Sequence, residues 1–224
     1  MMIRLYLSRL FLNPANPRAR RELANVYELH RTVMGGFPEH LPDDERVLFR
    51  LEGDGDSRPV LLVQSQTAPD WGGLPAGYLA PTDPFDPMPN PAVKRVEPEF
   101  APGQLLRFRL RANPTVKQDR PGRKQGRRVA VVREAAQLEW LGRKAAAGGF
   151  RFQPTDVRVA EPGRAFGQTR QDPQTGTRHR LELHVVQFDG FLWVTDPDSL
   201  AATLRAGIGP AKGFGCGLLS LAPA

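Results

Sequence analysis

Prolines crowd the middle of this chain. Residues 67–103 hold many of its 22 prolines, in pieces such as PTDPFDPMPNP. Proline lacks the amide hydrogen that helix interiors and central strands use, so this stretch is predicted to be a loop or an interdomain connection. A patterned block remains on each side, and the 224 residues read as two units. Residues 1–100 end in the Pro-rich linker, and residues 101–224 follow it.

In the first block, residues 2–12 alternate as a strand. Asn16 is placed to cap a helix that has Pro17 at its first position. Asn25 with Glu28 three residues later resembles a capping box, opening a second helical segment from Val26 to Met34 that Gly35-Gly36 ends. Strands are predicted near Val47–Glu52 and Pro59–Gln66, joined by Gly53-Asp54-Gly55-Asp56. In the second block LLRFRLRANP alternates apolar and basic residues, putting Arg107, Arg109 and Arg111 on one face. A basic loop to Arg128 precedes a helix from Glu134 to Ala147. Strands are predicted at 150–160, 178–188 and 191–195, then a short helix from Asp196-Pro197 to Ala206, then the strand LLSLAP. This order fits an α+β protein of two tandem ferredoxin-like βαββαβ domains, the open-sheet platform that RNA-recognition domains also use.

Charge points to a polyanionic partner. Lys+Arg 31 against Asp+Glu 24 leaves +7, with a pI near 10.2, and each phosphate neutralised releases a counterion. The positive charge concentrates between Arg107 and Arg128, where nine cations face Asp119 alone. Arginine forks match phosphate oxygens, so Arg109, Arg111, Arg123, Arg127 and Arg128 are candidate RNA-binding residues; a solvated hairpin is the alternative. No zinc-finger spacing, basic zipper or helix-turn-helix pattern suggests sequence-specific DNA reading. The single cysteine, Cys216, excludes an intramolecular disulfide and a Cys-based zinc site and fits a reducing cytoplasm. Arg4 and Arg9 interrupt the apolar N-terminus, so neither a signal peptide nor a membrane span is expected.

Chemistry centres on the segment Val26–Met34. Tyr27, His30 and Arg31 stand at i, i+3 and i+4, so they can share one surface. RNA cleavage by internal transesterification needs a base for the 2′-hydroxyl proton and an acid for the departing 5′-oxygen, and imidazole serves either role. Tyrosine can position or share a proton, and a guanidinium can stabilise the phosphorane. Against this stands periodicity. In one continuous helix Ala19, Leu23, Val26, His30 and Val33 form a single apolar stripe, making His30 a core residue. A cap at Asn25 would free the second segment to choose its own phase, with Val26, Leu29 and Val33 buried and His30 at the edge.

The C-terminal loop GIGPAKGFGCG offers Gly209, Lys212 and Gly213 as phosphate contacts. It matches neither a P-loop nor a dinucleotide fingerprint, and glycines packed against a close strand are the alternative. His179 and His184 are an odd number of residues apart on a predicted strand and face opposite sides, His40 has no partners, and the acidic residues read as surface turns. No metal site and no cofactor are expected.

Together, the first strand, the YELH helix, RLRANP, the EW-L helix and GIGPAKGFGCGLLSLAP resemble the CasE family, the CRISPR RNA-processing endoribonucleases of the type I-E Cascade complex. The resemblance runs from the first strand to the C-terminus. It implies two ferredoxin-like domains and cleavage of the CRISPR repeat RNA at the base of its hairpin. That cleavage is metal-independent, proceeds by 2′-hydroxyl attack and leaves a cyclic phosphate, after which the protein stays on the crRNA with other Cascade subunits. The family's catalytic histidine falls on His30 and its tyrosine on Tyr27. A lysine and a serine that some members carry downstream are replaced near Gly35 and Pro38, which makes Arg31 the substitute candidate for stabilising the phosphorane. No membrane association and a free monomer complete this expectation. A non-catalytic hairpin-binding subunit and a structural ribonucleoprotein component are the alternatives.

Overall fold

The structure is a computed structural model that describes residues 3–53, 58–82, 88–118, 127–169 and 176–224, without the side chains of residues 127, 161 and 162. The hairpin turn expected at 54–56 lies outside the described residues.

The first unit runs β1 (Leu5–Phe11), α1 (Pro17–Leu23), α2 (Val26–Met34), β2 (Leu48–Glu52), β3 (Val60–Ser65) and β4 (Ala92–Val96). Its sheet is antiparallel in the order β2-β3-β1-β4, the ferredoxin-like arrangement. Asn16 caps α1 as its sequence demands, accepting from the amides of Arg18 and Ala19, and Pro17 begins the helix. Leu10, Leu29, Val33, Phe49, Leu61 and Tyr78 fill the core between helices and sheet.

Residues 67–103 differ from the loop expected of them. Ala92–Val96 form β4, which pairs with β1 alone. The six residues between Pro91 and Pro98 are free of proline, and an edge strand suits flanking prolines and the exposed Lys94 and Arg95. Before it, Trp71 and Tyr78 are buried. The Trp71 indole donates to Ser8 Oγ at 3.1 Å and the Tyr78 hydroxyl to Glu22 at 2.6 Å. The Asn90 side chain exchanges hydrogen bonds with the Phe11 amide and carbonyl, both 3.0 Å, prolonging the pairing of β1. Between β3 and β4 no helix occurs among the described residues, and Trp71, Leu74, Tyr78 and Leu79 of this segment join the first core instead.

The second unit comprises β5 (Leu105–Ala112), the hairpin β6 (Thr115–Gln118) and β7 (Arg127–Ala130), α3 (Glu134–Ala147), β8 (Phe150–Arg151), β9 (Val157–Gln168), β10 (Arg180–Val194), α4 (Pro197–Ala206) and β11 (Leu219–Pro223). The sheet order β11-β5-β10-β8 repeats the first arrangement, with β9 added along β10. Two expected strands, 178–188 and 191–195, are one continuous β10. Gly190 is not a break: a Cβ there would lie 2.4 Å from the Asp156 carbonyl, so glycine admits a neighbouring turn. The strand expected at 150–160 divides around a 3-10 turn, Pro154–Asp156, and its second part extends to Gln168. Trp140 stacks on Phe188 at 6.4 Å in the second core, where Ile3 and Leu5 of the first unit are also buried.

The units meet along a polar seam. Arg50 on β2 is 2% exposed. Its guanidinium donates to the Leu218 carbonyl at 3.1 Å, Ser220 Oγ at 2.9 Å and Glu52 at 2.9 Å. Gln64 donates to the Leu204 carbonyl at 2.7 Å. A buried charge is tolerated only when its donors are met, and these partners come from both units. Arg50→Ala would leave the Leu218 and Ser220 acceptors unpaired and is expected to cost about 3–5 kcal/mol in urea unfolding. An unchanged midpoint would show that the seam adds nothing.

Candidate functional site

The helix break decides where His30 points. Ala24 ends α1 and Asn25 caps α2, its side chain accepting from the Tyr27 amide at 3.2 Å. The two helices therefore take separate phases. Leu29 and Val33 enter the first core, whereas Val26 packs on Ala165, Leu183 and Val185 of the second unit. His30 falls between these faces, half-buried rather than in the core.

Its ring is framed by both units. Phe49 of β2 lies parallel to it at 6.2 Å, and Phe214 meets it edge-on at 6.3 Å. A Cβ on Gly213 would lie 3.5 Å from the imidazole, so the bare glycine faces the ring. Nδ1 is buried without a hydrogen-bond partner among the described residues. Burial lowers the His30 pKa below the ordinary 6.5, because the imidazolium loses hydration that nothing replaces. Tyr27 is half-buried one turn earlier. Arg31 is exposed and forms a loose ion pair with Glu28 at 3.7 Å.

The glycine loop realises both of its readings. A Cβ on Gly207 would lie 2.8 Å from Leu48, and one on Gly209 the same distance from Trp140, so these two serve close packing. Gly213 instead faces the imidazole. The loop closes through the Ile208 amide, which donates to the Gly217 carbonyl at 2.9 Å, and is tied to β5 by the Gly217 amide donating to Arg111 at 2.7 Å. Ala211 adopts φ 63, a left-handed conformation costly for a residue with a Cβ. It sits immediately before Lys212.

Cations gather around this loop. Arg128, Lys144, Gly209 and Lys212 line a hollow of about 380 Å³. Burial, followed by the charges of Arg46 and Lys144, lowers the Lys212 pKa. A bound anion would relieve that repulsion. Lys144 and Arg46 were not among the sequence candidates. Lys144 occupies the last turn of α3, where a cation also suits the helix dipole, and Arg46 precedes β2 more than sixty residues before the basic tract.

Arg109 and Arg111 have protein partners. Arg109 pairs with Asp189 at 2.5 Å and Glu52 at 3.4 Å. Arg111 is directed into the seam, donating to the Leu51 carbonyl at 3.0 Å, while its Nε is buried without a partner among the described residues. Arg123 and the side chain of Arg127 lie outside the described residues. Cys216 is fully buried and its thiol is pushed up to about 11, so it packs as an apolar group. Among the described residues no three His, Cys, Asp or Glu side chains converge as metal ligands would, and no helix is long and apolar enough to cross a membrane.

The burial of His30 sets a pH dependence. Its folded pKa lies below the unfolded 6.5, so the unfolded chain binds more protons in between. Its contribution to stability is constant above 6.5 and falls as pH drops through 6.5 towards the folded value. NMR titration of the imidazole in the free protein is expected to give a midpoint below 6.5. One at or above 6.5 contradicts the enclosure described.

Known proteins share this architecture over its full length. The family model described as CRISPR associated protein matches residues 5–223. The CRISPR-associated endoribonuclease Cse3 of Thermus thermophilus is 41% identical over 227 residues, covering 98% of this chain and 100% of the relative. The CRISPR system Cascade subunit CasE of Escherichia coli K12 is 32% identical over 230 residues, with 98% and 100% covered. A structure of Thermus thermophilus Cse3 bound to an RNA representing a pre-cleavage complex matches with a TM-score of 0.79 at 38% identity, covering 99% of this chain and 100% of that one. The chain belongs to the CRISPR-associated protein family of Cse3 and CasE.

Proposed function

We propose that this protein is an endoribonuclease that matures CRISPR precursor RNA. It cleaves at the base of the repeat hairpin and stays on the mature crRNA within a Cascade assembly, in the cytoplasm. The observation that carries this reading is the His30 ring, held between Phe49 and Phe214 beside a cation-lined glycine loop. The Cse3 relatives, named as endoribonucleases and solved with RNA, and the Cascade subunit CasE support it. In this reading residues 1–100 carry the helix with His30, and residues 101–224 carry the basic hairpin and glycine loop.

The chemistry follows from the site. A 2′-hydroxyl attacks the adjacent phosphorus, the P–O5′ bond breaks, and a 2′,3′-cyclic phosphate and a 5′-hydroxyl result. His30 carries the proton transfer. Burial favours its neutral form, and a phosphodiester beside the ring favours the imidazolium, so the two influences oppose each other and leave the ring able to accept or donate a proton. Tyr27 assists on the same helix. Arg31, exposed and loosely ion-paired with Glu28, turns to the phosphorane. Lys212, Lys144, Arg128 and Arg46 hold the flanking phosphates, and Arg109 and Arg111 serve the seam.

His30→Ala is expected to slow cleavage by about 10²–10⁴-fold while hairpin affinity stays within about threefold. Replacing the scissile 2′-hydroxyl by hydrogen stops the reaction, and EDTA does not. Wild type that binds the hairpin and leaves it intact, or cleavage that EDTA abolishes and divalent ions restore, overturns this reading. Lys144→Ala and Lys212→Ala should each weaken hairpin binding and reduce the salt slope of log K by about one, without slowing cleavage at saturating RNA. An unchanged slope removes these lysines from the RNA surface.

A further inference from the structure

We propose that Asn25 is a positioning residue for the reaction, holding the helix that carries His30 in register with the β9–β10 hairpin of the second unit. The inference rests on the endoribonuclease reading above. Capping α2 requires only an acceptor at position 25, which serine or aspartate would supply equally. Asn25 does more. Its Oδ1 also accepts from the Gln168 amide at 3.0 Å, and its Nδ2 donates to the Gln168 carbonyl at 3.2 Å. The side-chain amide thus pairs with the last residue of β9 as a neighbouring strand would, and only asparagine offers this donor together with the cap.

The surrounding packing makes the contact close. A Cβ on Gly167 would lie 3.2 Å from Val26 Cγ2 and 3.5 Å from the Tyr27 amide, so the first turn of α2 rests on bare β9 backbone. His30 is one turn beyond Val26. Its ring partners Gly213 and Phe214 belong to the second unit, whereas Phe49 belongs to the first. A shift of α2 along β9 therefore changes the ring's position relative to the glycine loop and its cations. A displacement of about 1 Å at a reacting group can cost about 100-fold in rate.

The test measures single-turnover cleavage of repeat RNA at saturating protein, affinity for the same hairpin with a 2′-deoxy scissile nucleotide, and thermal midpoint. Asn25→Ser keeps a capping acceptor and loses the amide pair. It is expected to cleave about 10- to 100-fold more slowly, with affinity within about threefold and a midpoint within about 2 °C of wild type. Asn25→Asp keeps the acceptor for both amides and lacks the donor, so it should recover part of the rate. Gly167→Ala wedges the same contact from the opposite side and should slow cleavage with affinity retained. Wild-type rates in both Asn25→Ser and Gly167→Ala overturn the proposal. So does a fall of rate and affinity together with a lowered midpoint, which marks a purely structural contact. Inert wild type overturns the endoribonuclease reading itself, an outcome distinct from active wild type beside fully active variants.

Discussion

The seam around Arg50 holds the molecule's two halves in a single geometry, and the site exists only in that geometry. Alternation along β2 sends adjacent residues to opposite faces, so Arg50 enters the seam while Phe49 turns to the first core and the imidazole. The same strand therefore anchors the second unit through a guanidinium and presents the surface on which His30 stacks. A guanidinium this deeply buried loses stability from desolvation, which the Glu52 carboxylate and two acceptors from the second unit offset. Such an arrangement favours one relative placement of the units, because other placements leave those donors unmet.

Around that anchor, the ring of His30 is caught between elements that are distant in the chain. Phe49 and Phe214 hold it at a fixed orientation, Gly213 keeps one side clear, and Lys212 with its neighbours supplies positive charge nearby. Cationic repulsion and the left-handed Ala211 both raise the energy of the loop. A polyanion bound there would relieve the first.

Much of the local structure was legible because it depends on neighbours in the chain. Asn16-Pro17 and Asn25 mark helix starts by supplying acceptors for amides that no preceding turn can satisfy. Alternation in LLRFRLRA announces a strand with one buried face, and the structure buries Leu106, Phe108 and Leu110 as that pattern requires. The proline-rich segment misled because composition describes its average and not the proline-free run that contains Ala92–Val96. Gly190 misled for another reason: its glycine answers a carbonyl from residue 156, which no local pattern reveals.

Sequence alone determined the four helices, the capped break before Val26 and the surplus of positive charge, since each arises from backbone hydrogen bonding or composition within a few residues. It also carried the family likeness, through segments spread along the whole chain. Tertiary structure decided which arginines meet solvent and which meet protein. Arg109 and Arg111 look alike in an alternating strand, yet one pairs with Asp189 and Glu52 and the other is drawn into the seam. It likewise brought Arg46 and Lys144 beside Lys212 and placed His30 at an edge between two cores. These outcomes depend on burial and on partners far along the chain, and long-range packing energies leave no periodic trace in the residues that share them.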